Sequence, residues 1–424
     1  MLSKEENELL TRVGRGTPMG DVMRRYWIPA CLVEDVGTPD SRPIRVRLLG
    51  EDLVAFRDSS GRIGLLEEAC AHRQASLYLG RNEDGGLRCV FHGWKYDVEG
   101  SCIDMPNEPA TTRYKYKVKQ VAYPSIESGG IVWAYMGSPE QRPAPPEMEW
   151  LRAPASHRFV SQTIEYCNYL QGIEGGLDTS HSSFLHNNDL KNKGHYKRID
   201  TAPRLEVERT AYGFRYAGIR DVGDQGNYVR VYQFVAPFTQ YRSHQIDYET
   251  GSGEKVKVPV LKGHMWVPID DTNTMVYNWM FSPEAHAPLS QEYVLTSETR
   301  AGRGPGGETT TRHRTRDNDW GQDREIQRTD TMTGIFGINT QDLAVQESMG
   351  PVSDRTREHL TAADRAIILM RRILVDSVRA HVLNGTEPPA LDPATYRGIR
   401  AADILLPKGV PWQEAASEML VARH

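Results

Sequence analysis

The sequence predicts an α+β protein with two domains, a small all-β domain followed by a larger domain of strands and helices. Short strand patterns with glycine-rich turns run to about residue 136, a proline-rich stretch covers 139–154, and later strand patterns lead to a long helix. The 424 residues suffice for two cores. We therefore predict an N-terminal helical segment at 1–26, a first domain at 27–138, a linker at 139–154 and a second domain at 155–424.

The first domain begins with alternating hydrophobicity. Ile44, Val46 and Leu48 alternate with arginines, which is typical of a half-buried strand. Residues 53–56 form a short apolar run that predicts the next strand, and the sequence Asp-Ser-Ser-Gly at 58–61 favours a hairpin turn after it.

Two cysteine–histidine pairs follow in the same domain. Cys70 and His72 are separated by sixteen residues from Cys89 and His92. Each half offers one thiolate and one imidazole, whereas a zinc finger usually supplies its cysteines together and its histidines together. A [2Fe–2S] cluster of the Rieske type needs two cysteines on one iron and two histidines on the other. The pattern predicts such a cluster, with a structural zinc site as the alternative.

The second domain contains strand patterns and one strong helix pattern. We predict strands between 204 and 238 and between 263 and 281, and a helix from about 362 to 383 that the sequence Asn-Gly at 384–385 caps. Residues 299–317, rich in Gly, Thr and Arg, predict a flexible surface loop. Its G-x-G-x-x-G pattern follows no strand and precedes no helix, so we do not expect a nucleotide site there.

A second group of metal-binding residues lies near the start of this domain. His181 and His186 are five residues apart, so a distorted helical turn or a helix end would let both imidazoles reach one ion. Iron(II) that activates dioxygen takes two histidines and one carboxylate and keeps its other face open. Asp178 lies three residues before the first histidine and therefore on the same side of a helix. The alternative is that it is only a helix-capping acid.

Together these patterns resemble the ring-hydroxylating Rieske non-haem iron oxygenases. The phrases C-A-H-R at 70–73 and C-V-F-H-G-W-K-Y-D at 89–97 resemble their cluster motif, although Gln74 stands where glycine is common. The pattern E-x3-D-x2-H-x4-H at 174–186 resembles their iron motif. The chain looks like the phthalate 4,5-dioxygenase branch, whose α subunits work without a β subunit. The resemblance implies a Rieske β domain followed by a helix-grip catalytic domain.

The resemblance also implies the rest of the site. Asp342 becomes the third iron ligand, with Glu347 as the alternative, although Gln341 stands where an acid is common. Asp178 would bridge an iron-binding histidine to a Rieske histidine of the neighbouring subunit. The working unit would then be a homotrimer or a dimer of trimers. Electrons would come from a separate NAD(P)H-dependent flavin and iron–sulfur reductase, directly or through a ferredoxin, because the sequence has no flavin, nicotinamide or four-cysteine ferredoxin motif.

Three functions compete. The first is dihydroxylation of an aromatic carboxylate, either phthalate-like or a substituted benzoate. The second is O-demethylation of a methoxylated aromatic acid of the vanillate or biphenyl type. The third is an electron-transfer protein without its own catalysis, against which the second metal motif argues. A carboxylate substrate would call for arginine, and the sequence does not choose among four candidates in or near the predicted sheet: Arg204, Arg215, Arg230 and Arg242.

Composition excludes other classes of function. The net charge is −5 and no basic run is long enough to suggest a nucleic-acid surface. No stretch of about 18 apolar residues predicts a membrane helix, and the charged N-terminus is unlike a signal peptide. If Cys70 and Cys89 hold iron, three cysteines remain as free thiols, which predicts a cytoplasmic protein without disulfides: Cys31, Cys102 and Cys167.

Overall fold

The computed structural model describes residues 1–109, 111–250 and 253–422, and it divides into two compact units. The N-terminal unit is Val13–Pro145, and the C-terminal unit combines Met1–Arg12 with the chain from Pro146 onward. The chain passes from one unit to the other inside the proline-rich stretch 139–154.

The predicted helical segment 1–26 is not one element. Helix α1 (Lys4–Thr11) belongs to the C-terminal unit, whereas helix α2 (Pro18–Met23) belongs to the N-terminal unit. Helix α1 belongs to the C-terminal unit because it is hydrogen-bonded to buried residues of that unit. The main-chain oxygens of its residues 10 and 11 accept hydrogen bonds from the Tyr169 hydroxyl and the Asn168 amide.

The N-terminal unit is built from three small antiparallel sheets, with strand orders β1-β10-β9, β2-β3-β4 and β5-β6-β7-β8. A short helix, α3 (Val33–Val36), follows β1. The strands are β1 (Trp27–Leu32), β2 (Ile44–Leu48), β3 (Glu51–Arg57), β4 (Ile63–Glu67), β5 (Arg81–Glu83), β6 (Gly86–Arg88), β7 (Lys95–Tyr96), β8 (Cys102–Asp104), β9 (Ser125–Ser128) and β10 (Ile131–Tyr135).

The predicted strand and turn signals hold in this unit. In β2 the apolar Val46 and Leu48 are buried while the alternating Arg45 and Arg47 are exposed. The turn after β3 is closed by Asp58, whose carboxylate accepts the main-chain N–H groups of residues 60 and 62. The core of these sheets includes Phe56 and Tyr96 and extends to the buried thiols of both motif cysteines.

The C-terminal unit is an eight-stranded antiparallel sheet with helices, in the order β11-β17-β16-β15-β14-β13-β12 and with β18 beside β14. The strands are β11 (Arg158–Glu165), β12 (Arg204–Thr210), β13 (Gly213–Asp221), β14 (Asn227–Val235), β15 (Thr239–Glu249), β16 (Lys255–Pro268), β17 (Thr274–Phe281) and β18 (Ala402–Leu406). The helices are α4 (Glu149–Arg152), α5 (Tyr169–Leu177), α6 (Tyr196–Ile199), α7 (Gln291–Ala301), α8 (Arg324–Thr329), α9 (Ile338–Ser348), α10 (Arg365–Asn384) and α11 (Trp412–Ala415). This arrangement confirms the predicted α+β fold.

Glycines let helix α5 lie close to the sheet. A Cβ atom at Gly172 or Gly176 would come within 2.2 and 2.1 Å of the Trp266 indole on β16. No side chain fits in that space, so the main chain of α5 packs directly on the Trp266 ring. This contact positions the C-terminal end of the helix relative to the sheet.

The prediction of a flexible surface loop at 299–317 is correct only in part, because residues 302–315 are irregular and many are exposed, but other residues of the segment are buried. Its first residues end helix α7, and Glu308 and Arg312 are buried further along. The Glu308 carboxylate accepts hydrogen bonds from Arg312 and from the main-chain N–H groups of residues 313 and 314, so the ion pair pins the segment. The predicted C-terminal helix is α10, with Gly385 capping it at φ 64°. Among the described residues, no helix has the length and apolar character needed to cross a membrane.

Candidate metal centre and active site

Two tight turns present the cysteine–histidine pairs. The Cys70 main chain accepts a hydrogen bond from the N–H of Gln74, and that of Cys89 accepts one from the N–H of Gly93. Both turns need a positive φ, 61° at Gln74 and 78° at Gly93. The departure from glycine at 74 therefore costs some backbone strain and leaves the turn intact.

The four side chains pair by type. The rings of His72 and His92 lie edge to face, 4.4 Å apart, and are partly exposed. Both thiols are buried, and burial together with the neighbouring Cys70 raises the pKa of Cys89. The pairing of imidazole with imidazole and thiol with thiol fits a cluster that takes two cysteines on one iron and two histidines on the other.

Neighbouring groups hold these ligands in place. The indole of Trp94 stacks on His72 at 4.2 Å, and the Tyr96 hydroxyl lies 3.3 Å from the Cys70 sulfur. The buried Gln120 accepts the N–H of Ala71, between the two ligands of the first turn. Hydrogen bonds to the sulfurs and the main chain tune such clusters.

The second site forms where α5 ends. The chain leaves the helix at Asp178 and makes a 3₁₀ turn over residues 181–183, as the spacing of the histidines requires. The Nε2 atoms of His181 and His186 are 3.0 Å apart. Oδ1 of Asp342, on helix α9, lies 3.2 Å from Nε2 of His186 and 3.6 Å from Nε2 of His181.

This constellation fits one metal ion. The three side chains offer ligand atoms that all lie within 4.8 Å of one another. Two imidazoles and one carboxylate on one side of an ion are the facial donor set of non-haem iron(II) oxygenases. All three side chains line one cavity, so an ion held by them would be open to dioxygen from that side.

A set of polar contacts orients the two histidines. Gln341, where an acid is common in the family, lies with Oε1 2.9 Å from Nδ1 of His186, so an amide oxygen serves as the acceptor. Its own amide donates to Asn188 and to the main chain of residue 335. Nδ1 of His181 is buried without a hydrogen-bond partner, and Oδ2 of Asp178 lies 3.7 Å away.

Charge interactions oppose burial at these groups. Burial would raise the pKa of Asp178, but His181 and Ser180 lower it to about 2. Burial likewise disfavours the ionised form of Asp342, whose pKa is nevertheless lowered by His186. The pKa of His181 is raised, because Asp178 and Asp342 outweigh its burial. The carboxylates therefore stay ionised beside the imidazoles.

Two further acids of the sequence patterns have other partners. Glu174 forms a buried ion pair with Arg355 and Arg371, which fastens α5 to the C-terminal part of the chain. Glu347, the alternative third ligand, accepts hydrogen bonds from Arg312 and Trp320 on its two oxygens. The structure brings Asp342 beside the histidines, and Glu347 is committed elsewhere.

A cavity of about 950 Å³ opens beside the histidines and Asp342. Of the four candidate arginines, Arg230 and Arg242 line it. Arg204 and Arg215 instead pair with Glu206 and Glu208 on the edge strand β12. The side chain of Arg242 makes no hydrogen bond or ion pair with the residues that the structure describes. Burial and the neighbouring Arg230 lower its pKa to about 10.

Strand β15 brings two further polar groups that the sequence alone did not single out, Gln240 and His244. They lie two residues before and after Arg242, and all three side chains line the cavity. Lys262 is paired with Arg242 across β15 and β16, and burial lowers its pKa to about 7. The period-2 pattern could have placed the three β15 residues on one face, although it could not say that this face borders a cavity.

Family models match both halves of the chain. The Rieske [2Fe–2S] domain matches residues 26–120, and the family described as LigXa C-terminal domain like matches residues 134–423. The second match covers more than half of the chain.

Curated relatives extend over almost all of it. The phthalate 4,5-dioxygenase oxygenase subunit of Pseudomonas putida is 38% identical, over 98% of this chain and 94% of its own length. The 3-chlorobenzoate-3,4-dioxygenase oxygenase subunit of Comamonas testosteroni is 36% identical, over 99% of each. The 5,5'-dehydrodivanillate O-demethylase oxygenase subunit of a Sphingobium strain is 32% identical, over 94% of this chain and 86% of its own length.

Solved structures share the fold. NdmA of Pseudomonas putida CBB5, in a mutant form with theobromine, superposes with a TM-score of 0.60 at 18% identity, over 93% of this chain and 96% of that chain. Each of these relatives is named as an oxygenase subunit, so the alternative of an electron-transfer protein without its own catalysis is wrong. The chain is an enzyme and belongs to the Rieske non-haem iron oxygenases, as an oxygenase α subunit of the phthalate 4,5-dioxygenase-like branch.

Proposed function

We propose that this subunit dihydroxylates an aromatic carboxylate, phthalate-like or a substituted benzoate, with dioxygen and electrons from a reductase. The observation that carries the proposal is Arg242, a guanidinium without a side-chain partner among the described residues that lines the same cavity as the histidines and Asp342. A guanidinium offers a planar pair of donors that matches a carboxylate. Arg242 is partly buried, and a cation withdrawn from water without a counter-ion is costly, so an anionic substrate would relieve that cost.

The proposed metal ligands follow the geometry above. Cys70, His72, Cys89 and His92 would hold the [2Fe–2S] cluster, and His181, His186 and Asp342 would hold the mononuclear iron(II). When bound, that iron supplies the activation of dioxygen. Gln341 fixes the ring of His186 through Nδ1, which would leave Nε2 as the atom that binds the ion.

Asp178 has a positioning role in this proposal. One carboxylate oxygen accepts the N–H and the hydroxyl of Ser180, which leaves Oδ2 directed toward Nδ1 of His181. The same carboxylate would reach a cluster histidine of a neighbouring subunit and so join the two metal sites. The working assembly would be a homotrimer or a dimer of trimers.

The other residues of the cavity would bind the substrate and exclude water from the site. Arg242, with Lys262 beside it, would hold the substrate carboxylate while the ring faces the iron ligands. Dihydroxylation adds both atoms of O₂ to the ring and consumes two electrons and two protons, which gives a cis-diol. We assign this catalytic domain to 155–424, with α1 as its N-terminal part. We assign the protein to the cytoplasm, where the three buried cysteines outside the cluster, Cys31, Cys102 and Cys167, would stay reduced.

A second candidate function is O-demethylation of a methoxylated aromatic acid. The observation that favours it is the cavity volume of about 950 Å³, which exceeds the needs of a single benzoate ring and would admit a biaryl acid. One relative is named as the O-demethylase of 5,5'-dehydrodivanillate.

A product assay under ¹⁸O₂ separates the two functions. The oxygenase, supplied with a surrogate reductase, would be offered phthalates, plain, chlorinated and methoxylated benzoates, and carboxylated biphenyls. A cis-diol with two ¹⁸O atoms supports the dioxygenase. Formaldehyde with a phenol supports the demethylase and overturns the first proposal. Turnover of uncharged aromatics in preference to all the acids would overturn both.

A further inference from the structure

One stretch of the N-terminal unit carries a concentrated positive charge. Residues 113–119, here called the basic segment, have the sequence R-Y-K-Y-K-V-K and contain four cations and no acid. The whole chain has a net charge of −5, so the charge of this stretch is opposite in sign to that of the chain. The function described so far gives it no role.

The basic segment is a free surface within its unit. Tyr114 and Tyr116 are 52% and 75% exposed. Arg113, Lys117 and Lys119 are exposed and form no ion pair with any residue that the structure describes. Lys115 differs, because its ammonium donates to the main-chain oxygen of residue 103 and so holds the segment to strand β8.

A short hydrogen-bonded connection runs from this surface to the cluster loop. Lys119 pairs with Ser101 in a single β-bridge, and the next residue is the buried Gln120. The Gln120 amide donates to the main chain of residues 67 and 69, and its oxygen accepts the N–H of Ala71 at 2.7 Å. Ala71 lies between Cys70 and His72, so the basic segment adjoins the loop that carries half of the ligands.

We propose that the basic segment is the docking surface for the electron-donor protein, a redox partner with an acidic surface around its iron–sulfur centre. Unpaired cations around exposed tyrosines are what such a partner would recognise, since opposite charges steer encounter and tyrosine is enriched in interface cores. The inference goes beyond the proposed function. It requires only that electrons arrive from a separate protein, whatever aromatic compound is oxidised.

The test measures reduction of the cluster and does not depend on substrate turnover. The probe is a reduced plant-type [2Fe–2S] ferredoxin of net negative charge, mixed with the oxidised protein in a stopped-flow instrument while the visible absorption of the Rieske cluster is followed. The variant is Lys117→Glu with Lys119→Glu. The control is Lys193→Glu with Lys255→Glu, two exposed lysines of the other unit, which changes the net charge equally.

At low salt, we expect the double reversal to slow reduction by about tenfold or more and to remove most of its salt dependence. The affinity for the ferredoxin should fall in parallel. The control should retain the wild-type rate within about twofold, because its charges lie elsewhere. Reduction by dithionite should be equal in all three proteins, which shows that the cluster itself is unchanged.

Three outcomes would overturn the proposal. One is an unchanged rate with ferredoxin, and another is an equal fall in the control, which would mean that only net charge matters. The third is an unchanged rate with an altered oligomeric state, which would assign the segment to a contact between copies of this chain. If the double reversal does not fold, the neutral pair Lys117→Gln with Lys119→Gln takes its place, with a smaller slowing expected and the same contradicting results.

Discussion

The two candidate metal sites are built in opposite ways. The proposed cluster ligands come from two short turns of one small unit, and each turn is shaped by its own backbone, with a positive φ at Gln74 and Gly93. The mononuclear site takes its histidines from one turn and its carboxylate, Asp342, from a helix far along the chain. Ligands that lie on local turns can all be predicted from the sequence pattern. When the fold brings distant residues together, the pattern predicts only the ligands that are close in sequence.

The interactions that hold the side chains of the two sites in place also differ. Main-chain hydrogen bonds and an aromatic ring hold the cluster turns. Side chains hold the mononuclear site, namely Gln341 on one histidine and Asp178 near the other. We therefore expect single substitutions to separate the roles of individual residues more clearly at the mononuclear site than at the cluster.

The largest effect is expected from Asp342→Asn. The amide removes the one anionic ligand of the proposed triad and leaves the cluster turns untouched, so product formation should fall below detection while the visible spectrum stays unchanged. Product analysis and absorption spectra check both.

Glu347→Gln is the matched control for that substitution. It breaks the buried pair with Arg312, so it should lower the free energy of unfolding, by about 1–3 kcal/mol, and keep the activity of the folded enzyme. Loss of activity in this variant with full activity in Asp342→Asn would exchange the roles of the two acids.

Asp178→Asn should keep both metals and slow turnover by about 100-fold. The reason is that the amide loses the charge that orients His181 and the proposed bridge to the neighbouring cluster. Steady-state turnover with metal analysis measures it. Ser180→Ala, which removes one hydrogen bond to the same carboxylate, is the control and should change the rate little. Wild-type turnover in Asp178→Asn would show that the carboxylate is not a bridge.

Arg242→Met should raise KM for the aromatic acid by about 10- to 100-fold, because a charge-assisted hydrogen bond to the carboxylate is lost. The methyl ester of the same acid should be affected much less. Arg215→Met serves as the control, since Arg215 pairs with Glu208 outside the cavity. Initial rates over a range of concentrations give KM, and equal KM values for the two variants would remove Arg242 from the binding site.

A smaller effect concerns stability. Burial raises the pKa of Glu165, which lines the cavity, to about 8 from a reference of 4.5. The folded protein therefore keeps this proton where the unfolded chain releases it, and this contribution to stability is lost as the pH rises from about 5 toward 8. Glu165→Gln should remove that loss.

Urea unfolding at several pH values measures the difference. Relative to Glu165→Gln, the wild type should lose on the order of 3 kcal/mol between pH 5 and 8. Substitution of the exposed Glu292 on α7 should leave the wild-type profile unchanged. Parallel profiles for the wild type and Glu165→Gln would mean that Glu165 is ionised in the folded protein.

Much of the fold was accessible from local patterns. Alternation predicted β2, the Asn-Gly cap ended α10 where the structure ends it, and the cysteine–histidine spacing indicated a two-iron cluster. Each of these signals depends on neighbours a few residues away. The prediction of Asp342 depended on the family resemblance, because no local rule links it to His181.

The errors have a common physical cause. Residues 299–317 have a loop-like composition, and only a partner elsewhere in the fold, Glu347 for Arg312, shows that part of the segment is buried. The prediction of a helical segment at 1–26 likewise could not show which of the two cores each part of that segment packs against. In the same way, Arg242 and Arg215 both lie on strands, and only the tertiary structure separates the cavity face from the outer face.

The most direct test of the account is the content of iron and acid-labile sulfide per chain, in the wild type and in Asp342→Asn. A two-iron cluster and one mononuclear ion predict about three iron atoms and two sulfides in the wild type. The variant should hold about two iron atoms, with the sulfide and the visible spectrum unchanged. Two iron atoms in the wild type, or three in the variant, would contradict the proposed mononuclear site.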